Sequence, residues 1–149
     1  MVDQIRVLYV DDDPDLAELV AAFLEREDER IAVDTAENAT AGLAHLDAHE
    51  IDCVVSDHDM PGPNGIEFLR TVRDRFPALP FVLYTGKGSE AVASDAISAG
   101  VTDYLQKDGG TERYEMLANR LVEAVEKRRL EAEAERARAH LEAVTDHSM

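Results

Sequence analysis

"IRVLYVDDDPDLAELVAAFLER", residues 5–26, decides the fold. Its first six residues, Ile5–Val10, form an almost unbroken apolar run, as in a strand covered on both faces. Three carboxylates follow at once. Pro14 then opens a segment, Pro14–Arg26, whose apolar residues recur at helical spacing. Proline suits the first helical position, where an N–H has no partner within the helix. The unit is therefore strand, acidic turn, helix.

The same rhythm continues along the chain. Strands are predicted at Ile31–Thr35, Cys53–Ser56, Phe81–Thr85 and Asp103–Gln106, and helices at Ala39–Ala48, Ile66–Phe76, Glu90–Ala99 and from Glu112 onward. Asn38 and Ser89 read as N-caps, and Gly100 as a helix C-terminus. Strands joined by helices long enough for right-handed crossovers give an α/β class: a five-stranded parallel sheet, doubly wound, with helices on both faces. In such sheets ligands sit outside the carboxyl ends of the strands, where the strand order reverses.

Composition narrows the function. The chain has 149 residues, enough for one domain with a core. Its 32 acidic residues against 15 basic ones leave a net charge of −17, which argues against direct nucleic-acid binding and points to a salt-rich setting that screens self-repulsion. No window is apolar enough to span a membrane, and the start of the chain carries no export pattern, so a cytoplasmic location is expected. The single Cys53, in an apolar run, reads as a small buried hydrophobe.

Polar side chains collect at the predicted strand ends. Asp11, Asp12 and Asp13 follow the first strand, and Asp57 and Asp59 the third, within "VVSDHDMPGPNG" at 54–65. Thr85 ends the fourth strand and Lys107 follows the fifth. Each alone is an ordinary turn, cap or loop residue; together at one sheet edge they read as a phosphate site. Two carboxylates about 4 Å apart repel by roughly 4 kcal/mol at an effective dielectric near 20, so a cation is needed. A hard divalent ion such as Mg²⁺ fits, because it accepts carboxylate, water and phosphate oxygens together. A carboxylate such as Asp57 then acts as nucleophile toward a phosphoryl group, with Lys107 as a point charge and Thr85 as a hydroxyl donor.

The set "VLYVDDDP…VVSDHDMPGPNG…VLYTG…YLQKD" resembles the receiver domain of two-component response regulators, of the chemotaxis-regulator kind, over roughly residues 4 to 125. The resemblance implies a flavodoxin-like fold and a phosphorylation-dependent switch, with self-phosphotransfer and slow autodephosphorylation but no turnover of a substrate. It implies Asp57 as phospho-acceptor and Asp11 and Asp12 as the acidic pair for Mg²⁺, Asp12 directly and Asp11 through water. Asp59 takes the position whose backbone carbonyl ligates the metal. Thr85 is similar to the switch hydroxyl, Tyr104 to the aromatic whose rotamer reports it, and Lys107 to the family lysine. The implied donor is a histidine kinase or phosphotransfer protein. Output would pass through helix 4, strand 5 and helix 5, or through a homodimer formed by that face or by the C-terminal helix. Asp59 and Lys87, two residues beyond the acceptor and the threonine, would flank the path of attacking water.

Some positions depart from the family pattern. Asn64 stands where Asp is frequent, Pro63 where an apolar residue is usual, and Asp108 where proline commonly follows the lysine in a cis bond. A cis bond before Asp108 is not expected, since it costs several kcal/mol without proline. Residues 1–125 are expected to form the receiver and 126–149 a helical extension, a coiled coil or a link to an output module. Met116, Leu117, Leu121, Ala124 and Val125 have the spacing of a face packed on the sheet; Leu130, Ala134, Ala137, Leu141 and Val144 have that of a short coiled-coil seam. His58 should point away from Asp57, and His45 and His49 read as a solvated helix face rather than a metal site. His140 and His147 lie in or after the tail helix and sit in no kinase-like segment. The rival reading is a Mg²⁺-dependent phosphohydrolase of haloacid-dehalogenase type, with Asp57 and Asp59 as its D-x-D pair. That family places D-x-D on its first strand, whereas here the acidic pair comes first.

Overall fold

The computed structural model describes residues 3–86, 90–108 and 110–147, with side chains through residue 143. Five strands alternate with five helices: β1 (Ile5–Val10), α1 (Pro14–Glu27), β2 (Ile31–Ala36), α2 (Ala39–Ala48), β3 (Cys53–Ser56), α3 (Gly65–Arg75), β4 (Phe81–Thr85), α4 (Glu90–Ser98), β5 (Asp103–Gln106) and α5 (Glu112–His147). All strand pairs are parallel and the order is β2-β1-β3-β4-β5, so the order reverses between β1 and β3. The predicted sheet and its helix count are as the sequence implied.

The period of two along each strand divides the core into two layers. Ile5, Val7 and Tyr9 of β1 and Val82 and Tyr84 of β4 join α1 and α5, while Leu8, Val10, Phe81 and Leu83 join α2, α3 and α4. Each of these strand residues is at most 1% exposed, which explains the unbroken apolar runs. Cys53 is fully buried in the first layer, and burial pushes its thiol up to about 12, as expected of an inert cysteine.

Helix ends follow local chemistry. Asp13 caps α1 by accepting from the N–H groups of Asp15 and Leu16, with Pro14 in the first turn. Asn38 caps α2 through the Ala41 N–H at 2.8 Å; Ser89 lies outside the described residues. The departure at Asn64 has a structural reason: its side chain accepts from Glu67 N–H at 2.9 Å while Glu67 accepts from Asn64 N–H at 3.0 Å. This capping box starts α3 one residue earlier than the apolar pattern implied. Gly65 then lies so close to the β3 exit that a Cβ would stand 2.4 Å from the Asp57 carbonyl oxygen. Only glycine permits that approach.

Helix α5 corrects one expectation. Tyr114, Leu117, Ala118, Leu121 and Val125 form its buried stripe, but Met116 is 54% exposed. Met116 falls about 100° from Leu117 around the helix and so misses the stripe. Beyond it, Leu130 and Leu141 of the proposed seam are 67% and 65% exposed, and the Val144 side chain lies outside those described. The helix is nonetheless tied to the domain past residue 125: Glu126 pairs with Arg30 at 3.1 Å, and Arg129 donates to the Gln4 carbonyl at 2.7 Å. Among the described residues no helix is long and apolar enough to cross a membrane.

Candidate functional site

The reversal between β1 and β3 sets Asp11 and Asp57 side by side. Asp57 N–H donates to the Val10 carbonyl at 2.9 Å, and Asp11 N–H to the Ala36 carbonyl at 3.1 Å, so each acid leaves its strand on a fixed backbone. Asp11, Asp12 and Asp57 offer carboxylate oxygens within 4.8 Å of one another, the first and third buried and Asp12 exposed. At that separation the buried pair repels by roughly 3.5 kcal/mol at an effective dielectric near 20. Among the described residues one cation faces the buried pair: Lys107 Nζ is 3.2 Å from Asp11 Oδ2 and 3.6 Å from Asp57 Oδ2. Its backbone is held by a Lys107 N–H bond to the Thr85 carbonyl at 2.8 Å, which ties the ends of β4 and β5 together. The peptide before Asp108 is trans.

One ammonium does not neutralise three carboxylates, and the imbalance registers on Asp57. Burial pushes its carboxyl above the ordinary range, Lys107 opposes the shift, and Asp11 adds to it. Asp57 Oδ1 accepts from the His58 N–H at 2.8 Å, leaving Oδ2 toward Lys107. The all-oxygen set with excess negative charge fits a small hard cation. Asp59 is exposed, and its carboxylate is outside the cluster. Lys87, expected opposite Asp59, lies outside the described residues.

Thr85 is fully buried at the end of β4 and its Oγ1 has no hydrogen-bond partner; nor has Tyr104 Oη on the half-buried β5. Thr85 therefore carries unused bonding capacity at the strand-end edge that holds the acidic cluster, and Tyr104 carries it on β5. His58 is half-buried with Nδ1 unpartnered, and its backbone rather than its ring touches Asp57. His45 differs from the solvated face expected: its Nε2 lies 2.9 Å from Asp34 Oδ2, and its ring stacks on His49 at 4.2 Å. The sequence reading missed Tyr9, whose hydroxyl donates to Asp11 Oδ2 at 3.0 Å. Burial and the neighbouring carboxylate push its phenol well above the ordinary range, so it remains a donor. Its signal was the alternation of β1, which brings an unusually polar apolar-layer residue two positions before the first acid.

Comparison with known proteins places this architecture. The family described as the response regulator receiver domain matches residues 7–119, and the chain belongs to it. It is similar to the transcriptional regulatory protein ResD of Bacillus subtilis, 35% identical over 105 residues, covering 70% of this chain and 42% of that one. It is also 35% identical over 140 residues to the C4-dicarboxylate transport transcriptional regulatory protein DctD of Rhizobium meliloti, covering 94% of this chain and 29% of that one. The crystal structure of a response regulator receiver domain protein from Clostridium thermocellum superposes with a TM-score of 0.74 at 26% identity, covering 85% of this chain and 98% of that one. The chain thus spans less than half the length of either regulator. Family membership makes it a signalling receiver module of two-component systems and leaves the phosphohydrolase reading without support.

Proposed function

We propose that Asp57 is the phospho-acceptor of this receiver. The observation carrying the reading is the posture of its carboxylate: Oδ1 is held by the His58 N–H, and Oδ2 is directed to Lys107 within the three-acid cluster. Oδ2 attacks the phosphorus of a phosphohistidine on a histidine kinase or phosphotransfer protein. The O–P bond forms as the N–P bond breaks, and the imidazole nitrogen leaves with the electron pair. Mg²⁺, held by Asp12, Asp57 and the Asp59 backbone carbonyl, with Asp11 acting through water, would offset oxygen charge during transfer. Lys107 then pairs with the phosphoryl oxygens, and Thr85 Oγ1, now unpartnered, donates to one of them. Movement of Thr85 vacates space for Tyr104, and the α4-β5-α5 surface changes population between two states. Slow return by water attack would complete the cycle.

Residues 1–125 form the switching unit in this proposal, and 126–149 carry its state onward along α5, whose exposed Leu130 and Leu141 suit pairing with a second copy. The net charge of −17 suits a cytoplasmic, salt-rich setting and a protein partner rather than direct contact with nucleic acid. Intact mass after treatment with a small phosphodonor and Mg²⁺ tests the chemistry: one added phosphoryl group is expected, and none on Asp57→Asn. Equal labelling of both proteins would move the acceptor elsewhere, and repeated turnover of a phosphomonoester would revive the hydrolase.

A further inference from the structure

Tyr9 is 0% exposed, in the core layer facing α1 and α5, yet its hydroxyl does not spend its bonding capacity there. It donates to Asp11 Oδ2, two residues on and on the same face of the strand, at 3.0 Å. Tyr84 gives the contrast: it occupies the same layer two strands away on β4, is 1% exposed, and its hydroxyl has no hydrogen-bond partner. A tyrosine in this layer is therefore not aimed at the acids merely by being there. An ionised carboxylate only accepts, so the phenol is the donor.

Among the described residues Asp11 receives three donors. Oδ1 takes the Asp13 N–H at 3.0 Å, and Oδ2 takes Tyr9 and the Lys107 ammonium, the latter at 3.2 Å. A carboxylate has about four lone-pair sites, so one remains open, on Oδ1. The carboxylate is thus locked in rotation with a single direction left for a water or cation. The same bond bears on Lys107, which stands between Asp11 at 3.2 Å and Asp57 at 3.6 Å. With the phenol sharing Asp11 Oδ2, the ammonium is not captured by Asp11 alone.

We propose that Tyr9 is a positioning residue of the acidic site: it fixes the Asp11 carboxylate for metal binding and keeps Lys107 available to Asp57. This rests on the Mg²⁺-dependent phospho-acceptor reading above. Donors behind metal-binding groups typically change metal affinity by about 10–100-fold when removed. Tyr9→Phe deletes one oxygen, keeps the ring in the core, and leaves Asp11 its Lys107 and Asp13 partners.

Two readouts on metal-free protein test the inference. Calorimetric titration with Mg²⁺ should give a dissociation constant about tenfold weaker for Tyr9→Phe than for the parent. The chain has 4 Tyr and no Trp, so its near-ultraviolet absorption is dominated by tyrosine. The difference spectrum produced by saturating Mg²⁺ should lose at least half its amplitude in the variant. A dissociation constant within twofold of the parent overturns the proposal even if thermal stability falls, because that is what a packing role alone would do. An unchanged difference spectrum also overturns it. A parent that binds no Mg²⁺ sinks the metal reading itself, an outcome distinct from a parent and variant that bind alike.

Discussion

The two edges of the sheet handle charge in opposite ways. At the edge where strands begin, several charged groups have partners that fit. Asp52 accepts from the Arg6 N–H at 2.8 Å and lies 3.4 Å from Arg129, Asp28 pairs with Arg30 at 2.8 Å, and Arg120 pairs with Asp103 at 2.8 Å. At the edge where strands end, Asp11 and Asp57 of a three-carboxylate cluster share one lysine among the described residues, and the Thr85 hydroxyl has no partner. The first edge is largely saturated and holds the fold; the second, among the described residues, is left short of positive charge and of donors. That shortfall is what a cation and a phosphoryl group can supply, so the edge built for chemistry is the one that is electrostatically incomplete.

The largest effect is expected at the saturated edge. Arg73 of α3 donates to the Leu79 carbonyl at 2.6 Å and the Gly100 carbonyl at 2.7 Å, with weaker contacts to Phe76 O at 3.4 Å and Thr102 Oγ1 at 3.3 Å. It thereby gathers the chain entering β4 and β5. The Gly100 backbone it meets has φ of +91°, a conformation glycine adopts without strain. Arg73→Ala would take the guanidinium from the part-buried Phe76 and Leu79 carbonyls and from the exposed Gly100 carbonyl, and should cost about 2–3 kcal/mol in urea unfolding. Mg²⁺ affinity should be unchanged. Coupled loss of stability and metal binding would mean the two edges are not independent.

The incomplete edge should respond with the opposite sign. Without Mg²⁺, Asp57→Asn removes the cost of burying a charge and the repulsion with Asp11, which together outweigh the lost attraction to Lys107, so stability should rise by about 1–2 kcal/mol at pH 7. The pH dependence follows from the direction of the shift. Burial raises the folded Asp57 carboxyl above its ordinary value of 3.8, so its contribution is fully favourable below that pH and is lost as pH rises through the folded value. The advantage of Asp57→Asn should therefore shrink toward zero as pH falls to about 3.8. Asp28 behaves inversely: the Arg30 side chain and backbone lower it, so its contribution is present above 3.8 and lost as pH falls through the lowered folded value. An Asp57→Asn variant less stable than the parent at pH 7 would break the contrast.

The sequence carried this architecture where the signals are local. Apolar runs and helical spacing fix β1, α1 and the other elements to within a residue or so, because period and capping act over a few positions. The Asp11, Asp12, Asp57 and Lys107 group was legible because parallel α/β order sends all strand ends to one edge. Tyr9 and Arg73 were not legible: each acts through a bond whose meaning appears only when the chain has folded. Tyr9 looked like one more apolar-run residue, and Arg73 reaches carbonyls up to 27 residues away. Met116 was misplaced because a stripe one step wider than the true one fits the same letters. The tail seam remained ambiguous because five residues, two of them alanines, define little surface either way.

Salt gives the smallest and most general separation of the two edges. Screening weakens the Arg30–Asp28, Arg30–Glu126 and Arg120–Asp103 pairs, which water already screens and which therefore contribute little. It also relieves repulsion among 32 acidic residues that only 15 basic ones oppose. The excess decides the sign, since most acids have no basic residue with which to pair. Between dilute buffer and molar salt the thermal midpoint should rise by roughly 3–5 °C, the equivalent of about 1 kcal/mol for a chain of this size. The rise should be smaller in Asp57→Asn, which has already lost one repelling charge at the incomplete edge. A midpoint that falls with salt would mean that the paired edge outweighs the acid excess, and the salt-rich setting would have to be abandoned.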